Sequence, residues 1–143
     1  MKKKLWIATA LCLIFSALLF NRPSIVRFAY ACQEESFQNA AHQVMEQEGD
    51  TGVPHPVGVT DISYCDYHTP IVEFQFGGWG IGSATSYWGI NFVPSGELVG
   101  FQGSRYEYWR PERSGTLFYE AEGDNTCYVE SLGNGWYYFE ARF

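Results

Sequence analysis

The chain has 143 residues, of which 16 are acidic, nine are basic and 18% are aromatic, and its formal net charge is −7. All the acidic residues lie at Glu34 or later but only four of the basic residues do, so this later part carries a net charge of −12. A field of that sign repels phosphate backbones, which disfavours nucleic acid as a partner. The aromatic content argues against disorder, because there is ample apolar surface to bury in one domain.

The first predicted element is an apolar helix over residues 5–20, which contain no charge and no proline and come directly after three lysines. These 16 residues would span about 24 Å as a helix, slightly less than a hydrocarbon core of about 30 Å. Lysine-rich flanks stay in the cytoplasm, so the chain beyond Phe20 is expected on the far side of the membrane. Residues 1–31 are therefore predicted to be a signal peptide or a signal anchor.

Three fates of this leader stay open. The triplet Ala29-Tyr30-Ala31 is typical of a signal peptidase site, and the next residue, Cys32, is a candidate for lipidation. An uncleaved anchor is the third alternative, because a long basic spacer separates the apolar run from the triplet. The domain is thus expected outside a single-pass anchor at the cell membrane, or secreted after cleavage. In a retained anchor, residues 23–30 are a candidate interfacial helix whose apolar side chains enter the bilayer: Ile25, Val26 and Phe28.

One amphipathic helix is predicted over residues 33–48. Its apolar residues recur at helical spacing, at Phe37, Ala41, Val44 and Met45. Gly49 ends this helix, and a loop with two prolines continues up to Pro56. Residues 32–56 are accordingly assigned to a helix and a loop.

From residue 57 onward, apolar and polar residues alternate as they do in half-buried strands. No later helical segment is available to connect parallel strands, so the strands are expected to be antiparallel. The predicted fold is α+β, with an N-terminal hydrophobic helix and then one amphipathic helix packed on the concave side of a curled antiparallel sheet of about six strands. Residues 57–143 make up the β domain, which forms one globular unit with the amphipathic helix.

The last three predicted strands, TLFYEAE, TCYVESL and WYYFEARF, have two distinct faces. One row is assigned to the core: Leu117, Tyr119, Ala121, Cys127, Val129, Tyr137, Phe139, Ala141 and Phe143. The opposite row, which includes Phe118, interleaves aromatic residues with glutamates. Aromatic rings beside carboxylates can stack on sugars and accept hydrogen bonds from their hydroxyls, or attract a cationic peptide. The candidate ligand-binding residues are Trp136, Tyr138, Tyr128, Glu130 and Glu140. The alternative is that this face packs against the helix, a loop or a second copy.

Two segments carry a resemblance to known proteins. SYWGINFVPSGELVGFQG and GNGWYYFEARF resemble recurrent segments of small exported or membrane-anchored proteins of Gram-positive bacteria with no assigned activity. The resemblance covers roughly residues 86–143 and includes an aromatic strand, a proline-containing turn and an aromatic C-terminal strand. It implies an envelope-facing domain and transfers no catalytic residues.

The cysteines beyond the leader are odd in number. The preferred disulfide joins Cys65 to Cys127, which leaves Cys32 lipidated, free or removed with the leader. Closing such a loop could stabilise the fold by roughly 4 kcal/mol. The alternative is two buried thiols that do not meet.

Other motifs give weak signals. The glycine run from Gly77 to Gly82 is interpreted as a bend that breaks a strand and lets Trp79 lie flat, because no lysine occurs after Lys4 and no helix comes after the run. The spacing of Cys65 and His68 occurs in metal sites but lacks a second ligand pair. No metal and no cofactor are predicted.

These patterns support three functional hypotheses. The first is a non-enzymatic interaction domain at the cell surface that binds a glycan or a cationic peptide. The second is a secreted inhibitor or immunity-type protein that masks a basic partner. The third is a small hydrolase of envelope glycans, since carboxylates are plentiful, although no catalytic signature is present.

Overall fold

The computed structural model describes residues 21–81 and 84–143. The apolar run over residues 5–20, and with it the predicted N-terminal hydrophobic helix, lies outside the described residues. Among the residues that are described, no helix is both long enough and apolar enough to cross a membrane.

The described chain forms two helices and one sheet of seven strands. The helices are α1 (Arg22–Cys32) and α2 (Glu34–Gln47). The strands are β1 (Asp61–Cys65), β2 (Ile71–Ile81), β3 (Ala84–Phe92), β4 (Tyr108–Glu112), β5 (Gly115–Tyr119), β6 (Thr126–Gly133) and β7 (Trp136–Arg142). Every neighbouring pair is antiparallel, in the order β1-β2-β3-β7-β6-β5-β4. The prediction of one amphipathic helix on about six strands is therefore wrong, and the fold is a sheet-rich α+β arrangement with two helices.

Local sequence signals explain part of this difference. The basic spacer after the apolar run forms α1, which begins with Pro23 in its first turn, where a missing backbone N–H costs no hydrogen bond. Strand β2 continues through the glycines to Ile81 instead of breaking at Gly77. Pro111 lies within β4, which is an edge strand of the sheet, where proline is tolerated.

Helix α1 is part of the folded unit. Val26 is 1% exposed, and the ring of Tyr30 lies 5.6 Å from that of Phe37 and 5.2 Å from that of Trp136. The prediction that Val26 enters a bilayer is therefore wrong, since its side chain packs inward. The packed structure includes residues that the sequence pattern assigned to the leader.

Both faces of the sheet are covered. On one face, α1 and α2 bury an aromatic cluster that includes Phe37, Phe74 and Tyr138. On the other face, the connection from β3 to β4 folds back over the sheet and passes through a 3-10 turn, Phe101–Gly103. The sheet is thus the middle of three layers.

The row assigned to the core is correct for β6 and β7 but wrong for β5. The buried residues opposite the helices are Cys127, Val129, Tyr137, Phe139 and Ala141, as predicted. In β5, however, Phe118 pairs with Cys127 and Leu117 pairs with Tyr128. Directly paired residues share a face, so Phe118 joins the core row and Leu117 lies on the helix side.

Candidate functional site

The aromatic row predicted to bind a ligand lies in the interior. Trp136 is 3% exposed, Tyr138 is fully buried and Tyr128 is 2% exposed. The ring of Trp136 packs 5.2 Å from that of Tyr30 on α1 and 6.2 Å from that of Phe37 on α2. The exposure on which the ligand-binding prediction depended is therefore absent, because the two helices cover this face.

The two glutamates of that row lie at the edge of the helix-covered layer. Their side chains are 12% and 15% exposed, for Glu130 and Glu140 respectively. The hydroxyl of Tyr128 donates to Glu130 Oε2 at 2.7 Å, and that of Tyr138 donates to Glu140 Oε1 at 2.8 Å. Both carboxylates are thus already engaged by buried phenols of their own strands.

Glu130 also accepts a hydrogen bond from Arg27 on α1. Burial alone would raise the pKa of Glu130, but hydrogen bonds from Ser114 and Tyr128, together with the Arg27 charge, hold that pKa below its ordinary value. Glu130 therefore favours its ionised form more than an ordinary glutamate does, which suits a carboxylate that attaches α1 to the sheet better than a general acid.

The predicted disulfide is absent, and Cys65 and Cys127 are free, buried thiols. Cys65 lies on β1 and Cys127 on β6, and three strands separate these two in the sheet. Burial raises the pKa of the Cys65 thiol to about 11, helped by the nearby Glu73 charge. Cys32 is exposed at the end of α1. The preferred disulfide is therefore wrong, and the alternative of two buried, unbonded thiols is the one observed, because strand order determines which cysteines can pair.

The Cys65–His68 spacing and the glycine run have structural explanations. His68 Nε2 lies 3.4 Å from Glu97 Oε1, at the surface, whereas Cys65 is buried. Within residues 21–81 and 84–143, no group of three or more histidine, cysteine or acidic side chains is placed to hold a metal ion. A Cβ on Gly77 would lie 2.4 Å from the Trp88 ring, so the glycine makes room for Trp88, and not for Trp79 as predicted.

A cleft of about 1110 Å³ lies between α1 and the ends of β2, β3 and β7. Two tryptophans contribute to its wall, Trp88 on β3 and Trp79 on β2, and Trp79 is 57% exposed. Arg22, Arg113 and Arg142 line the same cleft, together with Glu140. The cleft therefore combines indole surface with three guanidinium groups.

Aromatic rings position two of these arginines. The guanidinium carbon of Arg22 lies 4.1 Å from the centre of the Trp88 ring, which is cation–π geometry. That of Arg113 lies 4.4 Å from the centre of the Tyr128 ring, and Arg113 Nη1 is 3.8 Å from Glu140 Oε1. Stacking leaves the in-plane N–H groups of a guanidinium directed away from the ring, where they can bind carboxylate or phosphate oxygens.

A second hollow of about 240 Å³ adjoins the cleft and shares Arg113, Glu140 and Arg142 with it. It adds Arg110 and Glu112, so four arginines and two glutamates line the two hollows. This balance is the reverse of the strongly acidic remainder of the domain. The two hollows together, here called the arginine cleft, form the candidate site.

No sequence motif pointed to the arginine cleft. Its arginines lie at positions 22, 110, 113 and 142, and the first of them falls in the basic spacer of the predicted leader. The only available signal was the scarcity of basic residues after Glu34, which makes each arginine there worth locating. Helix packing and strand order bring them together.

Comparisons of the chain with protein-family models, with curated proteins and with solved structures found no match.

Proposed function

We propose that the protein is a non-enzymatic interaction domain on the outer side of the cell membrane, tethered through residues 5–20, whose arginine cleft binds an anionic glycan. The observation that carries this proposal is the grouping of Arg22, Arg113 and Arg142 with Trp79 and Trp88 in one cleft. Aromatic rings and a few converging polar groups are the usual composition of a ligand site.

The chemistry of the cleft selects among the ligands that the sequence suggested. A sugar ring can stack on the exposed indole of Trp79, while a phosphate or carboxylate substituent pairs with a guanidinium. A cationic peptide would meet three arginines against one glutamate in the cleft. The proposed ligand class is therefore a saccharide that bears phosphate or carboxylate groups.

Binding is proposed in preference to hydrolysis because of the state of the carboxylates. Glycoside hydrolysis needs two facing carboxyl groups, one of them with a raised pKa. Glu130 has a lowered pKa, and it and Glu140 accept hydrogen bonds from Tyr128 and Tyr138. Their positions fit a structural role.

The test is titration of the full chain, held in phosphatidylcholine nanodiscs, with a hexose phosphate, a hexuronic acid and the neutral hexose. We expect calorimetric binding of the two anionic sugars and at least about tenfold weaker binding of the neutral one, since a hydrogen bond to a charged group is worth about 1.5–3 kcal/mol. Arg113→Gln should weaken anionic binding by a similar factor. Arg105→Gln, which removes an exposed arginine outside the cleft, should leave it unchanged. Equal affinity for all three sugars, or no effect of Arg113→Gln, would contradict the proposal.

A second candidate function rests on the charge outside the arginine cleft. Fourteen of the 16 acidic residues lie there, and 12 of these are at the surface, since Glu73 is fully buried and Glu130 largely buried. The described basic residues there are Arg27 and Arg105 alone. Such a surface suits an inhibitor or immunity-type protein that masks a basic partner. Its association would be strong at low ionic strength and lost at high ionic strength, because exposed charges are screened. Affinity unaffected by salt would exclude this candidate.

A further inference from the structure

Four large apolar side chains are exposed beside the arginine cleft. On α1, Ile25 is 39% exposed and Phe28 is 72% exposed, and on β2, Trp79 is 57% exposed and Ile81 is 83% exposed. A group of exposed apolar side chains at neighbouring positions marks a contact surface for a partner, unlike single exposed side chains scattered over a protein.

These side chains belong to one side of the molecule. Ile25 and Phe28 are three residues apart on α1 and therefore share a helix face. Trp79 and Ile81 are two residues apart on β2, and they share the sheet face of the Gly77–Trp88 pair, which is the face that α1 covers. Ile25 and Trp79 line the same cleft, so the two exposed residues of α1 and the two of β2 lie around one hollow.

The chain itself indicates what lies against this side. Residues 5–20 are entirely apolar and come after three lysines, and α1 begins at Arg22, only two residues after Phe20. If the apolar run spans the bilayer, no linker separates it from the folded domain. The first turn of α1, and the cleft beside it, must then lie at the level of the lipid headgroups.

We propose that Ile25, Phe28, Trp79 and Ile81 form a bilayer-contact surface that seats the domain on the outer leaflet of the membrane holding residues 5–20. Tryptophan is enriched at membrane interfaces and arginine can serve as an interfacial anchor, and Arg22 and Arg142 line the cleft with Trp79. Because the tether keeps the domain at high local concentration, even a weak contact is sufficient to hold this orientation.

The contact surface would set how the arginine cleft meets its ligand. An indole has two faces, so Trp79 can border the cleft on one side and lipid on the other. The cleft then opens at headgroup level, and its ligand is one that is presented at the membrane surface. The inference rests on the membrane tether and not on the identity of the ligand, so either can fail alone.

Quenching of tryptophan fluorescence by lipids with brominated acyl chains tests the contact. The full chain is reconstituted in phosphatidylcholine liposomes with and without the brominated lipid, and Trp79→Phe is compared with Trp109→Phe. Trp109 is a matched control, because it is 63% exposed but lies on β4, at the far edge of the sheet from β1 and β2. The contribution of Trp6 in the apolar run is common to both variants.

We expect Trp79→Phe to remove a clear part of the lipid-quenched emission and Trp109→Phe to remove none. The substitutions Phe28→Ser and Ile81→Ser, at exposed positions, should at least halve the quenching of Trp79 by brominated lipid while leaving the temperature of thermal unfolding unchanged. Equal quenching in the two tryptophan variants would overturn the inference. Quenching of Trp79 by soluble acrylamide but not by brominated lipid would also overturn the inference. Shielding of Trp79 that increases with the density of protein in the liposome would overturn it as well, by showing that a second copy covers this side.

Discussion

Arg27 on α1 donates a hydrogen bond to Glu130 on β6, and the two residues are 103 positions apart in the chain. This ion pair, together with the inward packing of Val26, attaches the segment after the apolar run to the sheet. The contact therefore connects α1 to β6 beside Tyr128, which lines the arginine cleft.

Replacing Arg27 with Met should lower the free energy of unfolding by about 1–2 kcal/mol, because the largely buried carboxylate of Glu130 loses a charged donor. Thermal unfolding of the full chain in detergent micelles measures this change. Arg105→Met is the matched control, since its pair with Glu97 is exposed and such pairs contribute about 0–1 kcal/mol. In a double-mutant cycle, additive effects of Arg27→Met and Glu130→Gln would show that the ion pair carries no coupling energy.

The burial of Glu73 should make the stability of the fold depend on pH. Glu73 is fully buried beneath the β3–β4 connection and accepts hydrogen bonds from the Gln102 N–H at 3.1 Å and from Gln75 Nε2 at 3.0 Å. Burial raises the pKa of Glu73 from 4.5 to about 7, against the lowering effect of these two hydrogen bonds. The folded state therefore holds its proton more tightly than the unfolded state does.

The stability that Glu73 contributes is thus fully present below pH 4.5 and is lost as the pH rises through about 7. The shift corresponds to a decline on the order of 3 kcal/mol across this window. Glu73→Gln should flatten the decline, as measured by unfolding at a series of pH values, whereas Glu97→Gln at the surface should not. A slope between pH 5 and pH 7 that persists in Glu73→Gln would assign the effect to another group.

The three described thiols should differ sharply in reactivity. At pH 8, Cys32 should react with a maleimide within minutes, while Cys65 and Cys127 should react at least about 100-fold more slowly, because both are buried and burial raises the pKa of each. All should react together in denaturant. Mass spectrometry after labelling reads out each site, and a mass that shows Cys65 bonded to Cys127 would contradict the structure.

Gly77→Ala should distort the arginine cleft. The new Cβ would overlap the Trp88 ring, which supports Arg22, so the ring must move. We expect affinity for a hexose phosphate to fall by about tenfold, and stability to fall as well. Gly49→Ala is the control, because its Cβ would meet only a backbone oxygen at 3.9 Å. Unchanged affinity in Gly77→Ala would mean that Trp88 does not shape the site.

Much of the secondary structure was predictable from local patterns. The helix predicted over residues 33–48 is α2, whose buried residues include three of the predicted stripe, Phe37, Ala41 and Val44. The alternating rows of β6 and β7 were also correct, because a strand with two different faces keeps its period of two whatever it packs against. The second helix was missed, since a basic spacer after an apolar run is typical of a leader.

The candidate site was not predictable in the same way. The aromatic row of Trp136 and Tyr138 is a distinct face in the sequence, but its alternation alone gives no indication of whether solvent or a helix covers it. The prediction of a disulfide was wrong for a related reason. Compatible burial of Cys65 and Cys127 says nothing about their separation, which strand order determines.

The sequence by itself determined the apolar run over residues 5–20, the acidic charge of the chain from Glu34 onward, the antiparallel β character and the two-residue alternation of strands such as β6 and β7, because these depend on residues that are neighbours in the chain. Tertiary structure alone decided that α1 joins the core, that the aromatic row is interior and that arginines at positions 22, 110, 113 and 142 line one cleft. Those outcomes depend on contacts between residues as far apart as Arg27 and Glu130, and such contacts are specified by packing and strand order and not by local composition.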